Sequence, residues 1–175
     1  MAILTGTASW TDKTLIACGR FYPPEAKSAE ARLRHYASVF PTVEVDSSYY
    51  AMPSATNAAL WVERTPQDFV FDVKAFRLFT GHQTNVDVLH QDIQAALGAT
   101  SKQLYYKDVP QEVREELWRR FKQALWPLKT AGKLGAVLFQ FPPWLLRNKA
   151  GHDHVAHCVE QMDDFAVSVE FRNQT

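Results

Sequence analysis

The stretch Val167-Ser168-Val169-Glu170-Phe171-Arg172 decides the fold, because its side chains divide into two chemically different faces. Alternate residues of a strand point to opposite sides, so the apolar residues share one face and the serine, glutamate and arginine share the other. A strand with one charged face is usually an exposed antiparallel strand. The same pattern recurs upstream in segments that helical sequence separates, which indicates parallel strands instead.

Strand-like and helical segments alternate along the whole chain. Strands are predicted at residues 3–8, 42–48, 69–75, 134–141 and 166–172. Apolar periodicity and capping residues predict helices at residues 29–39, 54–64, 86–97, 111–125 and 152–162, and Pro127 is expected to end the fourth of them. This order is typical of a parallel α/β sheet, and two architectures compete for it: an open doubly wound sheet and part of a (β/α)8 barrel.

The position of the polar residues favours the barrel. On the second face of the strands, charges gather mostly towards the C-terminal ends, and they are Glu44, Asp46, Asp72, Lys74, Glu170 and Arg172. Helices cover both faces of an open doubly wound sheet, whereas the interior of a barrel opens at the C-terminal mouth, where active sites lie. The sequence therefore predicts an α/β fold, an incomplete TIM (β/α)8 barrel of five parallel strands with helices outside.

The inward-facing charges include more acids than bases. Isolated buried ions are costly, so these groups must be paired or hydrogen-bonded. One interpretation is a salt-bridge network that only holds the barrel together. The other is a polar site with a ligand, which is favoured because perturbed groups cluster at sites. The acidic excess could be met by a divalent cation at the barrel mouth, or by basic residues from strands that this chain does not contain.

Composition narrows the class of protein. The 175 residues fit one domain. The net charge is zero, so the composition does not indicate non-specific binding to nucleic acid or to an anionic membrane. The chain has no signal-like start, no long apolar run and no Cys-x-x-Cys motif, so a cytoplasmic protein is expected. Nucleic acid stays a weak candidate partner, through Tyr105-Tyr106 between Lys102 and Lys107.

Two further groups of residues are interpreted as structural. A possible zinc cluster comprises His152, His154, His157 and Cys158. A helix start is favoured over zinc there, because Cys158 lies off the face that two of the histidines share and no second cluster completes four ligands. Core or helix packing is predicted for Trp118, Trp126 and Trp144.

Short motifs span the chain in a fixed order. They are Gly6-Thr7-Ala8-Ser9-Trp10, Phe21-Tyr22-Pro23, Val43-Glu44-Val45-Asp46-Ser47-Ser48-Tyr49-Tyr50, Thr65-Pro66, Phe71-Asp72-Val73-Lys74-Ala75-Phe76-Arg77, Leu138-Phe139-Gln140-Phe141-Pro142-Pro143 and Val169-Glu170-Phe171-Arg172-Asn173. In this order they resemble the DUF72 (YecE-like) family of bacterial and archaeal TIM-barrel proteins. The family pattern carries Thr-His after the strand-three arginine, whereas this chain has Thr80-Gly81-His82. The resemblance implies the fold and no settled activity.

The resemblance, carried over residue by residue, implies a set of residues that line the barrel mouth. The candidate catalytic residues are Glu44, Asp46, Lys74 and Glu170, and the candidate ligand-binding residues are Ser9, Trp10, Tyr50, Arg77, His82, Gln140 and Arg172. The two glutamates could act as general base and acid, or as metal ligands. The lysine and the arginines could clamp a phosphate or carboxylate, and Trp10 and Tyr50 could stack on a sugar or base.

The predicted function is to bind or act on a small anionic, sugar- or nucleotide-like ligand. A non-catalytic ligand-binding or scaffolding barrel is the alternative, and the residues do not decide whether the protein is an enzyme. The long connection at residues 76–110 is expected to be a lid or binding loop. A barrel closes with eight strands, so residues 1–175 are expected to form one domain truncated at its C-terminal side, and a non-functional fragment is a third interpretation.

Overall fold

A four-stranded parallel sheet with helices packed around it forms the centre of the structure, a computed structural model that describes residues 3–98 and 102–174. Along the sheet the strands follow the order β1 (Thr42–Val45), β2 (Val70–Lys74), β5 (Leu134–Phe141) and β6 (Val167–Phe171). A separate antiparallel pair joins β3 (Thr84–Asn85) and β4 (Gln103–Leu104). Because all four central strands are parallel, their C-terminal ends meet at one edge of the sheet.

Helices occupy most of the connections between these strands. They are α1 (Lys13–Ala17), α2 (Ala29–Val39), α3 (Ser47–Tyr50), α4 (Ala55–Glu63), α5 (Gln91–Leu97), α6 (Gln111–Thr130) and α7 (Lys149–Gln161). Side-chain oxygens of Ser28, Ser54 and Asn148 accept backbone N–H bonds at the starts of α2, α4 and α7. Within the described ranges, no helix is long and apolar enough to cross a membrane.

The N-terminal segment lies beside β1, where the first strand was predicted, but it pairs over a very short distance. Ala8 forms a single parallel bridge with Glu44, supported by hydrogen bonds from Ser9 N to Glu44 O at 2.9 Å and from Glu44 N to Thr7 O at 3.1 Å. Ser9 has a φ of 68°, a left-handed conformation that breaks the extended run. The described residues therefore contain four parallel strands plus this bridge, and they do not close a barrel.

Several element boundaries differ from those predicted, and the strand predicted at residues 42–48 ends at Val45, before α3. Pro127 lies inside α6, because a proline removes only its own N–H while the flanking Leu125 and Leu128 stay anchored in the core. The helix α7 begins at Lys149, since Asn148 caps it. The helix predicted at residues 86–97 divides into a 3-10 turn (Val86–Val88) and α5.

One face of the sheet is buried against the helices. Its fully buried strand residues are Val43, Val45, Phe71, Val73, Val137, Phe139 and Phe141. On the helix side, the ring of Trp118 stacks on that of Phe79 with a centroid separation of 3.7 Å. The predicted burial of Trp118 is confirmed, but Trp126 and Trp144 are 49% and 60% exposed, so their predicted packing was wrong. The opposite, polar face of the sheet is half-exposed, and the candidate site lies on it.

Candidate functional site

Lys74 is the central cation of the polar face. Its Nζ lies 2.9 Å from Asp46 Oδ1 and 3.9 Å from Glu44 Oε1, and its side chain is only 12% exposed. The register explains these contacts, because β1 and β2 are paired so that Glu44 lies opposite Asp72, two residues before Lys74. The predicted acidic residues of β1 and the predicted lysine of β2 therefore do come together.

Tyr49 packs against two cations of the site, Lys74 and Arg77. Its ring centroid lies 5.2 Å from Lys74 Nζ and 5.3 Å from Arg77 Cζ, which are cation–π distances. The backbone O of Tyr49 accepts a hydrogen bond from Arg77 N at 3.0 Å. Ser48 Oγ lies 2.6 Å from both Val45 O and Lys74 O, so it ties α3 to the two strands. Burial is the main cause that raises the pKa of Tyr49.

His82 reaches the same cluster. Its ring lies 5.4 Å from the ring of Tyr49, and its Nδ1 lies 2.8 Å from Thr80 Oγ1. Gly81 accommodates the extra residue of this chain with a φ of 81°, a conformation that glycine adopts without strain. Burial, followed by the positive charges of Arg77, Arg172 and Lys74, lowers the pKa of His82 to about 4. A neutral imidazole therefore lies in a positive electrostatic potential.

Among the cations Lys74, Arg77 and Arg172, Arg77 forms no ion pair within the described residues. Its Nε is buried and has no hydrogen-bond partner among the described residues. Lys74 and Arg172, by contrast, each pair with a carboxylate. Buried polar groups are normally hydrogen-bonded, so an unpartnered guanidinium N–H suits an anionic acceptor.

Gln140 and Glu170 form the opposite wall, on β5 and β6. They are register partners, and Gln140 Nε2 donates to Glu170 Oε2 at 2.7 Å. Arg172 Nε donates to the other oxygen, Oε1, at 3.2 Å. The hydrogen bond from Gln140, followed by the contact with Arg172, lowers the pKa of Glu170.

Glu44 behaves in the opposite way. Burial raises the pKa of its carboxyl group, Lys74 opposes that rise, and the negative charges of Asp46, Glu170 and Asp72 add to it. The site therefore contains one carboxyl group that holds its proton more strongly than usual and another, Glu170, that loses it more readily.

The remaining predicted residues are placed differently. Trp10 is a correction: it is 8% exposed and packs edge-on against Trp61 and Phe71, at 5.6 and 6.4 Å, so it lies in the core and has no free face for a ligand. Ser9 is adjacent through its backbone bond to Glu44. Tyr50 is 55% exposed and lies against Tyr49, 5.1 Å away between ring centroids, at the rim of the site.

Asp72, predicted as an inward-facing charge, contacts the backbone of a neighbouring strand. The register between β2 and β5 shifts between Phe71 and Val73, and Asp72 Oδ1 accepts the N–H of Ala136 at 2.8 Å within that irregularity. Its carboxylate thus replaces a missing ladder bond.

Two aromatic residues of the site were missed at the sequence level. Tyr49 was passed over in favour of its neighbour Tyr50, although both follow the same strand. Trp144 was assigned to packing, whereas its exposed ring lies 5.4 Å from that of His82. The signal for Trp144 was its position just after Pro142-Pro143, at the C-terminal end of β5.

A metal centre finds no support in the part of the chain that the structure describes. No three His, Cys, Asp or Glu side chains come close enough there to hold an ion. Lys74 lies between the carboxylates that could have bound a divalent cation. In α7, His157 Nε2 lies 2.8 Å from the hydroxyl of Tyr106, and His154 Nε2 lies 4.0 Å from Cys158 Sγ.

Comparison with known proteins gives consistent matches. The model of a family described as "Protein of unknown function DUF72" matches residues 4–175. The UPF0759 protein YunF of Bacillus subtilis (strain 168) is 35% identical over 173 residues, which cover 99% of this chain and 51% of that protein. This chain therefore spans about half the length of that relative.

Solved structures of two DUF72 family proteins share the fold. The one from Thermotoga maritima MSB8 has a TM-score of 0.62 at 23% identity, over 97% of this chain and 55% of that chain. The one from Enterococcus faecalis V583 has a TM-score of 0.62 at 25% identity, over 83% of this chain and 49% of that chain. The fold class predicted from the sequence is confirmed by these matches.

Proposed function

The chain belongs to the DUF72 family of proteins of unknown function, and from that premise we propose that its strand ends bind a small anionic molecule of sugar or nucleotide size. The observation that carries the proposal is the guanidinium of Arg77, whose buried Nε has no partner among the described residues. Arginine binds phosphates and carboxylates through paired N–H groups, so it suits an oxyanion better than a neutral ligand.

Charge pairing around Arg77 supports the same conclusion. Lys74 is neutralised by Asp46 and Glu44, and Arg172 by Glu170. No ion pair involves Arg77 within the described ranges, so the buried Nε–H of this positively charged group is left for a ligand. The low pKa of His82 is consistent with this positive potential, and its neutral ring can donate or accept a hydrogen bond.

Catalysis is a second candidate function, and one observation favours it. The environments of Glu44 and Glu170 move their carboxyl pKa values in opposite directions. Enzymes that use one carboxylic acid and one carboxylate at the same pH produce this kind of difference. In that case Glu44 would be the proton donor and Glu170 the base. The alternative is a barrel that binds its ligand without catalysis. The cytoplasmic location and the nucleic-acid partner stay predictions.

Calorimetric titration with inorganic phosphate and a panel of sugar phosphates tests the binding proposal. Arg77→Met should weaken the affinity for every phosphate that binds by about tenfold or more, because a hydrogen bond to a charged group is lost. Arg34→Met is the matched control, since Arg34 is exposed, pairs with Glu30 on α2 and carries the same charge. Equal affinities for the two variants would contradict the proposal.

The catalytic candidate has a separate test. Any phosphate that binds is incubated with the wild-type chain and with Glu44→Gln, and product formation is followed. Turnover that Glu44→Gln removes, while it leaves the affinity intact, supports catalysis. Binding without turnover in the wild type supports the non-catalytic barrel.

A further inference from the structure

A pocket of about 330 Å³ lies beside His82, next to the proposed anion site around Arg77. It is lined by Gly81, Tyr105, Tyr106, Lys107, Trp144 and His154. Two of its walls continue into the anion site, because Gly81 precedes His82 in the chain and the ring of Trp144 lies 5.4 Å from that of His82. His82 in turn contacts Tyr49, on which the guanidinium of Arg77 lies.

The long connection between β2 and α6 supplies four of the six lining residues, Gly81, Tyr105, Tyr106 and Lys107. The antiparallel pair of β3 and β4 joins the segment that follows His82 to the segment that precedes Tyr105. The backbone N of Tyr105 donates to the carboxylate of Asp108 at 3.2 Å, which holds the turn that carries the two tyrosines. The two sides of the pocket are therefore connected by backbone hydrogen bonds.

Tyr106 forms a rigid wall. Trp118 Nε1 donates to its hydroxyl at 2.8 Å, and the hydroxyl lies 2.8 Å from His157 Nε2. The guanidinium of Arg114 lies 5.3 Å from its ring centroid. The side chain is 6% exposed, so its position is set before any ligand binds.

Tyr105 and Trp144 supply exposed aromatic surface at the same pocket. Their side chains are 38% and 60% exposed, although large aromatic rings are usually buried to a greater degree. Exposed aromatic rings that border a concave site are typical stacking platforms for flat ligand groups. Lys107 places a positive charge beside them.

We propose that this pocket binds a flat aromatic or heteroaromatic ring, carried by the same ligand whose anionic group Arg77 binds. This inference rests on the proposed anion site and narrows its ligand class to small aromatic anions, of which nucleoside monophosphates are one example. The volume is at the lower end of the range for small-molecule pockets and suits one ring system. The ring stacks on Trp144, and Tyr106 forms the wall described above.

The proposal is tested with pairs of ligands that differ only by the presence of the ring. Calorimetry compares ribose 5-phosphate with adenosine and uridine 5′-monophosphates on the wild-type chain. At least one nucleotide should bind about tenfold more tightly than ribose 5-phosphate, the size of effect expected for one base–aromatic stack. Trp144→Ala should remove that difference, because the nucleotides and ribose 5-phosphate then meet the same site without the stacking ring.

Trp126→Ala is the matched control, because Trp126 is 49% exposed on α6 and lies over Lys129 instead of the pocket. It should keep the preference for the ring, and thermal unfolding should show that both tryptophan variants are folded. Equal binding of the three phosphates to the wild type would overturn the inference, yet the anion site would stand if Arg77→Met weakened all of them. If no phosphate binds at all, the proposed function fails and the inference fails with it.

Discussion

Carboxylates at similar positions on the polar face of the sheet have different partners. Asp72 and Glu44 are register neighbours and both alternate with buried residues. Glu44 faces Lys74, whereas Asp72 accepts a backbone N–H from β5. The sequence predicts that both point to the polar face, because alternation determines the face. It does not reveal the register shift beside Asp72, because that depends on how a distant strand pairs.

Gly135 is required by this irregularity. A Cβ at this position would overlap Asp72 Oδ1 and would lie 2.7 Å from Val70 Cγ1. Gly135→Ala should therefore lower the free energy of unfolding by about 2 kcal/mol, because it displaces Asp72 from its backbone bond. Urea denaturation measures the change. The control is the same substitution in an Asp72→Ala background, where the overlap with Oδ1 is absent, and a loss there equal to that in the wild type would contradict the packing argument.

The burial of His82 makes stability depend on pH. Its pKa is lowered from 6.5 to about 4 in the folded chain, mainly by burial. Between these values the unfolded state binds more protons, so stability is lost as the pH falls from 6.5 towards 4. The loss that His82 causes should be about 1 kcal/mol, a value discounted for solvent screening because the ring is only half-buried.

Urea denaturation of the wild type and of His82→Gln at several pH values measures this contribution. The variant should lose less stability than the wild type over the same acidic range. His152→Gln is the control, because His152 is exposed at the start of α7. Parallel curves for the wild type and His82→Gln would show that the imidazole binds protons equally in the folded and unfolded states, and they would contradict the lowered pKa.

At the scale of elements, sequence patterns predicted the central strands well. Residues 134–141 were predicted as a strand and form β5. Alternation is a strong signal when one face packs against helices and the other does not. The N-terminal strand was overestimated, because its extended conformation breaks at Ser9 and only Ala8 forms a bridge. Local propensity predicts that this segment is extended. It does not predict that the segment pairs with the neighbouring strand at only one residue.

The position of Pro127 inside α6 shows that tertiary packing overrides the local rule that a proline ends a helix. The residue lies in the last third of α6, where it lacks an N–H, and the adjacent Leu128 is fully buried. Pro127→Ala should restore one helical hydrogen bond and raise the free energy of unfolding by about 1 kcal/mol, a net gain that remains although alanine increases the entropy of the unfolded chain and so favours unfolding. Thermal and urea denaturation test this. Lys122→Ala in the same helix should be near neutral, and a destabilised Pro127→Ala would mean that the proline ring contributes packing.

At the scale of the whole molecule, strand ends were predictable and loop residues were not. Glu44, Asp46, Lys74, Gln140 and Glu170 lie on the polar face, as the alternation predicted. Tyr49 and Trp144 follow strands in a short helix and a turn, where no period indicates direction. Trp10 was placed by resemblance alone, and its ring packs into the core. Positions set by a regular element can be derived, whereas those set by a connection need the structure.

The edge of the sheet at β6 is a surface suited to self-association. Among the described strands, β6 pairs only with β5, so its outer backbone groups are available to another chain. Beside it lies an apolar cleft of about 480 Å³, lined in part by Leu145, Val155 and Phe171. Phe171 is 59% exposed, which adds apolar surface to the open edge.

We expect reversible association of the chain as its concentration rises. Phe171→Lys should weaken that association and change the melting temperature little, because the exposed ring stacks on Phe141 at 6.0 Å and on no other aromatic ring of the described residues. Sedimentation velocity over a wide range of concentrations measures the effect. Trp126→Lys adds the same charge at another exposed aromatic residue, far along the chain on α6, and should associate like the wild type. If both variants behave alike, net charge and not the β6 edge controls association.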